Sequence, residues 1–521
     1  MRTILHHISN AHFIADKADN QTLTFTVIKK FFHHYAGDFS AIGAGLLYTL
    51  AFAPFDYPYL ALVALSCLFL CWQRITARRA LIRGYLFGLG QFGLGISWVY
   101  VSIHDFGHAG VVSASVMTSV FVAFWAIFPA LAGYLCGLLK NSQRTLAMPV
   151  IWLLVEYLRG HWVLNGFPWL LAGYAQLDTP LAGYIPVLGV YGAGFILALS
   201  ATLILLFLQQ NNWRMAMALL ALWATGGYLQ TIQWTQAAGA PIKVALIQGN
   251  ITQDKKWLPD NKINTLRLYK ELTEQHWDAQ LIVWPETSIP AYLSEVNDSF
   301  LKPLSTLASQ HQSDLIVSLP IKNESSGEKY NAVMTLGSHI ADYRKQHLLP
   351  FGETMPLQPL SAFVLKQLGL KLGNFTAGGD NQPLLNAAGY SFITSICYED
   401  VFGELAIQGL EHAAYLVNVT NDGWFGNSIE PHQHAQIARM RALETGRFLL
   451  RATNTGLTTI VAPNGKMIAQ LPVFEVGVLR GAITPMSGLT PYARLGDKPV
   501  LMFLIGLLIA GWISDFLLAH R

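Results

Sequence analysis

The chain has 521 residues, of which 52% are hydrophobic and only 12% are charged. Soluble globular proteins carry about 25% charged residues, so this composition, with a mean hydropathy of +0.36, indicates a protein that exposes much of its surface to lipid. The formal net charge of +3 and the lack of a basic run interleaved with aromatic residues argue against nucleic-acid binding.

Residues 1–38 are polar and mixed, and they lack the apolar core and cleavage site of a signal peptide. We therefore expect a cytoplasmic N-terminal extension. A helix needs about 20 apolar residues to cross a bilayer. Apolar stretches predict seven transmembrane helices within 39–231 and an eighth within 499–521, at 40–54, 57–73, 84–103, 110–139, 147–164, 183–208, 213–231 and 499–518.

The segment 165–182 is apolar but is broken by Pro168, Asp178 and Pro180, which predicts an interfacial or re-entrant piece and no ninth crossing. Basic residues favour the cytoplasmic side of a membrane. They flank alternate ends of the predicted helices, at Lys29, Lys30, Arg74, Arg78, Arg79, Arg83, Lys140, Arg144 and Arg214. This pattern places the N-terminus in the cytoplasm and the segment 232–498 outside it.

Residues 232–498 have a different pattern, in which short β-rich runs alternate with helical ones. The β-rich runs are KVALIQG at 243–249, LIVWPE at 281–286, DLIVSLP at 314–320, SFITSIC at 391–397, AAYLVNVT at 413–420 and LTTIVAP at 457–463. Helical patterns cover 261–275 and 432–447, and Asn464-Gly465 predicts a hairpin. We predict one extracytoplasmic α/β domain of about 250 residues.

Three reactive side chains lie at or just after the ends of predicted strands. Glu286 closes LIVWPE, Lys345 follows a strand-like run at 330–343, and Cys397 closes SFITSIC. A carboxylate can take the proton of a thiol, and a lysine can stabilise the thiolate and then an oxyanion. Each residue by itself has a plain alternative, since a cysteine at the end of a strand is more often a packing residue.

The sequence motifs around these residues resemble those of the nitrilase superfamily. They are WPE at 284–286, the run from Lys345 to Glu353 (KQHLLPFGE) and CYE at 397–399, in that order. The resemblance implies an α-β-β-α sandwich whose Glu286, Lys345 and Cys397 act together in acyl transfer.

Further motifs in both halves of the chain resemble those of one family within this superfamily. They are GISWVYVSIH at 95–104, EYLRG at 156–160, GFPW at 166–169, NDGWFG at 421–426, NTG at 454–456 and TPYARLGD at 490–497. From about residue 40 onward the chain looks like the apolipoprotein N-acyltransferase family. The implied donor is a phospholipid, typically phosphatidylethanolamine, and the implied acceptor is the N-terminal amine of a diacylglyceryl-cysteine on an apolipoprotein. We expect a monomer in the bacterial inner membrane, with the catalytic domain in the periplasm.

The resemblance also implies a role for each matching residue. Cys397 is the expected nucleophile, Glu286 the general base and later acid, and Lys345 the oxyanion partner. Glu353 is expected to hold the lysine, Tyr398 to supply a backbone N–H to the oxyanion, and Glu399 to orient the site. Substrate contacts are expected from Trp257 and Trp98, for which a half-buried or membrane-interface aromatic is the alternative. Transfer through a thioester needs no cofactor.

Several further side chains lead to structural predictions. Segment 354–380 carries apolar residues at helical spacing, which favours an interfacial lid over a core helix. Glu156 and Arg159 are expected to form an ion pair one helical turn apart. No carboxylate or cysteine follows His432 and His434 at metal-ligand spacing, so they are interpreted as solvent-exposed and no metal site is expected.

Two other functions fit parts of this pattern. A membrane-tethered nitrilase-like amidase would use the same three catalytic residues, but it leaves eight apolar helices and an apolar lid unexplained. A transporter or lipid-binding protein with a degenerate domain would carry charges inside its membrane helices, which are nearly free of them here.

Overall fold

A computed structural model describes residues 35–355 and 374–519. The first part of the described chain is helical and apolar. Its long helices are α1 (35–49), α2 (Tyr59–Cys71), α3 (Ala77–Gly95), α4 (Val111–Trp125), α5 (Ile127–Leu138), α6 (Asn141–His161), α7 (Ile185–Gln210) and α8 (Trp213–Leu229). One further apolar helix, Lys498–Ala519, follows the α/β domain.

Within the described residues, two helical stretches are long and apolar enough to cross a membrane: Val111–Leu138 and Pro180–Gln210. A third qualifies if Ala77–Gly95 and Val99–Phe106, which are bent by 59° relative to each other, form one span. Helices are thus present at each of the eight predicted stretches. Crossing by all eight stays a prediction, because the remaining helices are shorter or less apolar.

Close approach between α3 and α5 depends on small residues. A Cβ on Gly84 would collide with the carbonyl of Pro129, and one on Gly88 would collide with Ala126. Glycines at these positions let the helix backbones touch, which is how helices associate where lipid supplies no hydrophobic drive.

The segment that follows α6 contains no long helix, as predicted for 165–182. After irregular turns it forms short 3-10 helices at Tyr174–Gln176 and Pro180–Tyr184, and most of its side chains are buried. Buried irregular backbone of this kind must be supported by protein. It lies under the α/β domain, to which it is hydrogen-bonded.

The α/β domain contains two six-stranded sheets and one two-stranded sheet. Its strands are β1 (Gln236–Ala237), β2 (Ile242–Gln248), β3 (Leu281–Val283), β4 (Asp314–Lys322), β5 (Lys329–Leu336), β6 (Ala341–Arg344), β7 (Leu385–Ala387), β8 (Tyr390–Ile396), β9 (Tyr415–Thr420), β10 (Leu449–Thr453), β11 (Thr459–Val461), β12 (Met467–Gln470), β13 (Gly477–Ile483) and β14 (Met486–Ser487). The orders are β13-β2-β3-β4-β5-β6 and β12-β11-β10-β9-β8-β7, while β1 pairs with β14.

The two large sheets pack face to face and are covered by helices. Aliphatic side chains of β2 and β3 meet those of β8 and β9 in one core. Helices α9 (Pro259–Glu274) and α10 (Lys302–Gln310) pack on one outer face, and α11 (Glu430–Thr445) packs on the other. The predicted α-β-β-α sandwich is therefore confirmed, and Asn464-Gly465 joins the antiparallel pair β11 and β12 as predicted.

Helix α11 is shared between the sandwich and the membrane helices. Its Ile437 and Met440 belong to the core of the membrane helices, whereas Ala438 and Ala442 pack against the sheet. The helix is largely buried although it carries many polar residues. The polar residues that α11 does carry have specific partners, described below.

Candidate active site

The three predicted catalytic residues meet at one end of the sandwich. Glu286 lies three residues after β3, Lys345 directly follows β6, and Cys397 directly follows β8. Lys345 Nζ is 4.0 Å from Glu286 Oε1. The thiol of Cys397 interacts electrostatically with both. Three distant chain segments thus bring a carboxylate, an amine and a thiol to one site.

Lys345 is almost fully buried and is paired with Glu353. Its Nζ lies 2.7 Å from Glu353 Oε2, and its side chain is 1% exposed. Burial disfavours the charged amine, but Glu353 and Glu286 outweigh it and raise the pKa of Lys345 above its ordinary value. The lysine is therefore a fixed positive charge in a water-poor site, which suits it to stabilise an oxyanion.

Asn331 on β5 links the two carboxylates. Its Nδ2 donates to Glu286 Oε1 at 2.7 Å and to Glu353 Oε1 at 3.0 Å. Burial raises the pKa of Glu286, while the nearby Lys345 opposes this shift. A carboxylate with a raised pKa is a better proton acceptor at neutral pH. Sequence reasoning missed Asn331; the available signal was a polar residue inside an apolar strand run.

Cys397 has a backbone conformation that is uncommon for a residue with a side chain. Its φ is +51°, in the left-handed region, and such outliers cluster at functional sites. The residue as a whole is half-buried. Burial raises the pKa of the thiol, and the negative charge of Glu286 raises it further. The resting thiol is therefore protonated and depends on a base for its activation.

Glu399, two residues after Cys397, ties the nucleophile to the lysine segment. One of its oxygens accepts hydrogen bonds from Tyr343 Oη (2.9 Å) and from the backbone N–H groups of Gln346 (2.6 Å) and His347 (3.1 Å). The other accepts the N–H of Ile396 at 2.8 Å. The geometry supports the predicted orienting role of this carboxylate.

Two side chains beside the site reach the membrane half. Tyr398 Oη donates to the carbonyl of Gly166 at 2.8 Å, and His347 Nε2 lies 2.8 Å from the carbonyl oxygen of Asn165. Burial lowers the pKa of His347 to about 4, so the neutral ring donates this hydrogen bond. The loops that carry Lys345 and Cys397 are thus seated directly on the segment that begins the GFPW motif.

The two tryptophans predicted to contact substrate differ in exposure. Trp257 is 52% exposed and follows Lys256, whose Nζ donates to the carbonyl of Glu286 at 3.0 Å. Trp98 is 7% exposed and donates its Nε1–H to Gln433 at 3.1 Å. An exposed aromatic beside the base is available to a substrate. Trp98 joins a membrane helix to α11, and its contact with substrate stays a prediction.

One structural prediction is corrected, and another falls largely outside the described residues. Glu156 and Arg159 are engaged with the irregular segment: Glu156 accepts the N–H of Ala172 at 3.2 Å, and Arg159 donates to the carbonyls of Phe167 and Trp169 at 2.7 Å each. These backbone groups lack helical partners, so they attract both charged side chains. The predicted lid at 354–380 lies largely at residues 356–373, which are outside the described residues.

The prediction that His434 is solvent-exposed is also wrong, because the residue is only 2% exposed. Its Nδ1 lies 3.0 Å from Asp422 Oδ1, and its Nε2 lies 2.9 Å from Asp400 Oδ1. Possible ligand atoms of Asp422, Glu430 and His434 approach within 4.8 Å of one another. Arg451 already supplies a cation to Asp422 at 3.1 Å, so this arrangement is built for internal charge balance rather than for a metal ion.

Known families match both halves of the chain. Residues 44–203 match the model of the apolipoprotein N-acyltransferase N-terminal domain, and residues 243–492 match that of the carbon-nitrogen hydrolases. The α/β domain therefore has the nitrilase-like fold that the sequence predicted. Yeast Nit3 (Saccharomyces cerevisiae), a member of branch 10 of the nitrilase superfamily, is similar at 19% identity and a TM-score of 0.37, over 48% of this chain and 93% of that one.

Full-length relatives are much closer. The apolipoprotein N-acyltransferase of Methylococcus capsulatus is 48% identical over 474 residues, which cover 90% of this chain and 94% of the relative. The apolipoprotein N-acyltransferase of Nitrosomonas europaea is 40% identical over 485 residues, which cover 92% of this chain and 97% of the relative. The similarity spans the membrane helices and the α/β domain together. The chain therefore belongs to the apolipoprotein N-acyltransferase family.

Proposed function

We propose that this protein transfers the sn-1 acyl chain of a phospholipid, through a thioester on Cys397, to the N-terminal amine of diacylglyceryl-cysteine on apolipoproteins. One observation carries the proposal: Cys397, a half-buried residue close to Glu286 and Lys345, lies in a loop that, like the loop of Lys345, rests directly on the membrane half. A lipid ester lies near the membrane surface, so a nucleophile placed there can reach it.

In the first half-reaction, Glu286 accepts the thiol proton and the sulfur of Cys397 attacks the ester carbonyl. Lys345 and the backbone N–H of Tyr398 stabilise the oxyanion. The carbon–oxygen bond then breaks, and Glu286 returns the proton to the departing lysophospholipid oxygen. The acyl chain is left as a thioester on Cys397.

In the second half-reaction, the neutral α-amine of the acceptor attacks the thioester carbonyl. Glu286 accepts a proton from the attacking nitrogen, the carbon–sulfur bond breaks, and the proton passes to the sulfur. The products are an amide and the free thiol. Glu353 and Asn331 keep Lys345 and Glu286 in place during both halves, and the exposed Trp257 is available to line the entrance.

The charges of the membrane half support an orientation with the catalytic domain in the periplasm. Asp38 pairs with Arg79 (2.5 Å) and Arg83 (3.1 Å). Arg144 donates to the carbonyls of Trp72, Ile75, Gly137 and Leu139. These basic residues collect at one end of the helices, and the catalytic domain contacts the other. The positive-inside rule assigns the basic end to the cytoplasm.

We further propose phosphatidylethanolamine as the donor, the bacterial inner membrane as the location and a monomer as the working form. The monomer is supported by the site itself, since a single chain supplies Glu286, Lys345, Cys397 and the membrane contacts. The amidase alternative leaves unexplained why the catalytic loops are hydrogen-bonded to the irregular segment that follows α6 in the membrane half.

The acyl-enzyme provides the direct test. Purified protein in detergent is incubated with phosphatidylethanolamine of one known sn-1 chain, and the peptide containing Cys397 is analysed by mass spectrometry. We expect the mass of that chain on Cys397 and its transfer to a diacylglyceryl peptide. Cys397→Ala is expected to remove the adduct, and Glu286→Gln and Lys345→Met are expected to slow its formation by several orders of magnitude, roughly 10³-fold or more.

Two results would contradict the proposal. Absence of acyl mass on Cys397, with hydrolysis of a small amide intact, would favour the amidase. Near-normal acylation by Lys345→Met would show that Lys345 does not stabilise the oxyanion.

A further inference from the structure

The peptide bond that follows Glu286 is held from both sides by side chains. Its carbonyl accepts a hydrogen bond from Lys256 Nζ at 3.0 Å. Its N–H, which belongs to Thr287, donates to Ser318 Oγ at 3.0 Å. Lys256 is 3% exposed and Ser318 is fully buried. Both polar groups of one main-chain amide are thus bound by buried side chains.

This peptide leads into an uncommon backbone conformation. Thr287 has a φ of +48°, in the left-handed region. A β-branched residue is a genuine outlier there, because its side chain crowds the backbone. Such a conformation persists only where the surrounding structure holds it, and it is found most often at active sites. The hydrogen bonds of Lys256 and Ser318 hold the turn that carries Glu286.

Two motifs that the catalytic residues leave unexplained hold the segment of Lys256. The side chain of Asn454, in the NTG motif, accepts the N–H of Ile251 at 3.0 Å and donates to the carbonyl of Ile251 at 2.7 Å. Asn421, in the NDGWFG motif, accepts a hydrogen bond from Asn454 at 3.0 Å and donates to Gln253 Oε1 at 2.8 Å. Gln253 begins the one-turn helix that ends at Lys256. The two motifs therefore fix Lys256 against the turn of Glu286.

The amine of Lys256 also acts on Glu286 through its charge. Burial lowers the pKa of Lys256 to about 8, so the amine is protonated at neutral pH. Burial raises the pKa of Glu286 and Glu353 adds to this shift, whereas Lys345 and Lys256 oppose it. One side chain thus binds the backbone of Glu286 and favours its ionised form.

We propose that Lys256 is a positioning residue for Glu286, which it holds by a hydrogen bond to the main-chain carbonyl and whose carboxylate it favours by its positive charge. Ser318 holds the other side of the same peptide, and Asn421 and Asn454 keep the segment of Lys256 in place. This inference rests on the proposed function in taking Glu286 as the base. It gives the NDGWFG and NTG motifs a role in base positioning.

The first test measures the rate at which phosphatidylethanolamine acylates Cys397 in the full-length protein in detergent, at a series of pH values below 8. Lys256→Met removes a hydrogen bond from a charged donor, so it is expected to slow acylation roughly 10- to 100-fold. The acid limb of the pH–rate profile reports ionisation of the base and is expected to move to higher pH. The other ionisable groups that face Glu286, namely Lys345, Glu353 and Cys397, are retained.

The matched control is Lys255→Met, which removes an exposed amine from the same one-turn helix and is expected to keep the wild-type rate and profile. Ser318→Ala removes the hydrogen bond on the other side of the peptide and leaves every charge in place. It is expected to slow acylation roughly three- to tenfold without moving the acid limb, and it tests the hold on this peptide if Lys256→Met does not fold. Melting temperatures are recorded in parallel, because loss of folded protein lowers the rate without moving the acid limb.

An infrared titration without lipid separates this inference from the proposed function. The carbonyl stretching band of protonated Glu286 is identified by its absence in Glu286→Gln. Its pH midpoint is expected to be higher in Lys256→Met than in the wild type, whether or not the protein transfers an acyl chain.

A midpoint that does not move in folded Lys256→Met would overturn this inference. A wild-type rate of acylation in Lys256→Met or in Ser318→Ala would also overturn it and would leave the proposed function intact. If the wild type itself carries no acyl mass on Cys397, the proposed function fails, and the infrared midpoint still decides the role of Lys256.

Discussion

At the residue scale, the site is organised by buried charges that compensate one another. Lys345 has two carboxylate neighbours and Asn331 links those carboxylates, so none of the three ionisable groups is left without a partner in a region of low polarity. Removal of one member would leave the others uncompensated, at a cost of about 3–5 kcal/mol for a buried pair. The same arrangement therefore serves both stability and chemistry.

Lys256 is a second buried amine beside the site, and it leads to a pH-dependent prediction. Burial lowers its pKa from 10.5 to about 8, although Glu286 and Cys397 favour the charged form. Folding thus favours the neutral amine. The contribution of this buried amine to the free energy of unfolding is complete above pH 10.5 and is lost as the pH falls through 8.

The Lys256→Met variant has no amine to protonate at this position. Its free energy of unfolding is therefore expected to rise relative to that of the wild type as the pH is lowered from 10.5 to 8. The gain is at most about 3 kcal/mol. Thermal unfolding in detergent at a series of pH values measures it, with the exposed neighbour Lys255→Met as the control. If the two free energies of unfolding differ by the same amount at every pH, the amine of Lys256 has the same protonation state in the folded and the unfolded protein.

At the element scale, α11 couples the membrane helices to the sandwich. Gln433 Oε1 accepts the indole N–H groups of both Trp98 (3.1 Å) and Trp169 (2.7 Å). Glu444 near the other end of α11 accepts the N–H of Val190 at 2.9 Å. Buried donors such as these are costly to leave unpaired.

Gln433→Met is expected to leave two buried indole donors unpaired and to destabilise the protein by about 2–4 kcal/mol. Gln433→Glu retains an acceptor oxygen and is expected to be closer to wild type. Melting temperature in detergent reports the effect, and Trp98→Phe and Trp169→Phe each remove one donor for comparison. Equal stability of the Met and Glu variants would show that the two indole hydrogen bonds do not hold the halves together.

At the scale of the whole molecule, the helices and the sandwich form one continuous packed structure. Tyr398 and Phe402, which follow the nucleophile, belong to the core of the membrane helices. The site is therefore tied to the membrane half by packing as well as by hydrogen bonds. Its position relative to the apolar helices is set by the fold.

The proposed orientation leads to a prediction for labelling. Gln310 on α10 and Gln210 at the end of α7 are both exposed, and they lie at opposite ends of the molecule. In a Cys397→Ala background, a membrane-impermeant maleimide is expected to label Gln310→Cys in intact spheroplasts and Gln210→Cys only after permeabilisation. The reverse pattern would place the catalytic domain in the cytoplasm and exclude the proposed reaction.

The sequence by itself determined the parts of this protein that depend on local pattern. Long apolar runs predicted where helices occur, β-rich runs predicted the strands that precede Glu286 and Cys397, and ordered motifs identified the family. Arg74 and the arginines in the first two turns of α3 predicted an orientation, which stays a prediction. These features need only neighbouring residues, whose spacing reflects helix and strand geometry.

Only the tertiary structure decided which polar residues share a site. Asn331 and Lys256 join the site through hydrogen bonds with Glu286, which is distant from both in the chain. Asn331 stands out in the sequence only as a polar residue in an apolar strand run, and Lys256 has no such signal. His434 was interpreted as exposed because its partners Asp400 and Asp422 lie 34 and 12 positions away, on other elements. Glu156 and Arg159 are spaced for an ion pair, yet unpaired backbone groups of a neighbouring segment bind them. Burial and partner choice depend on packing, which local spacing does not encode.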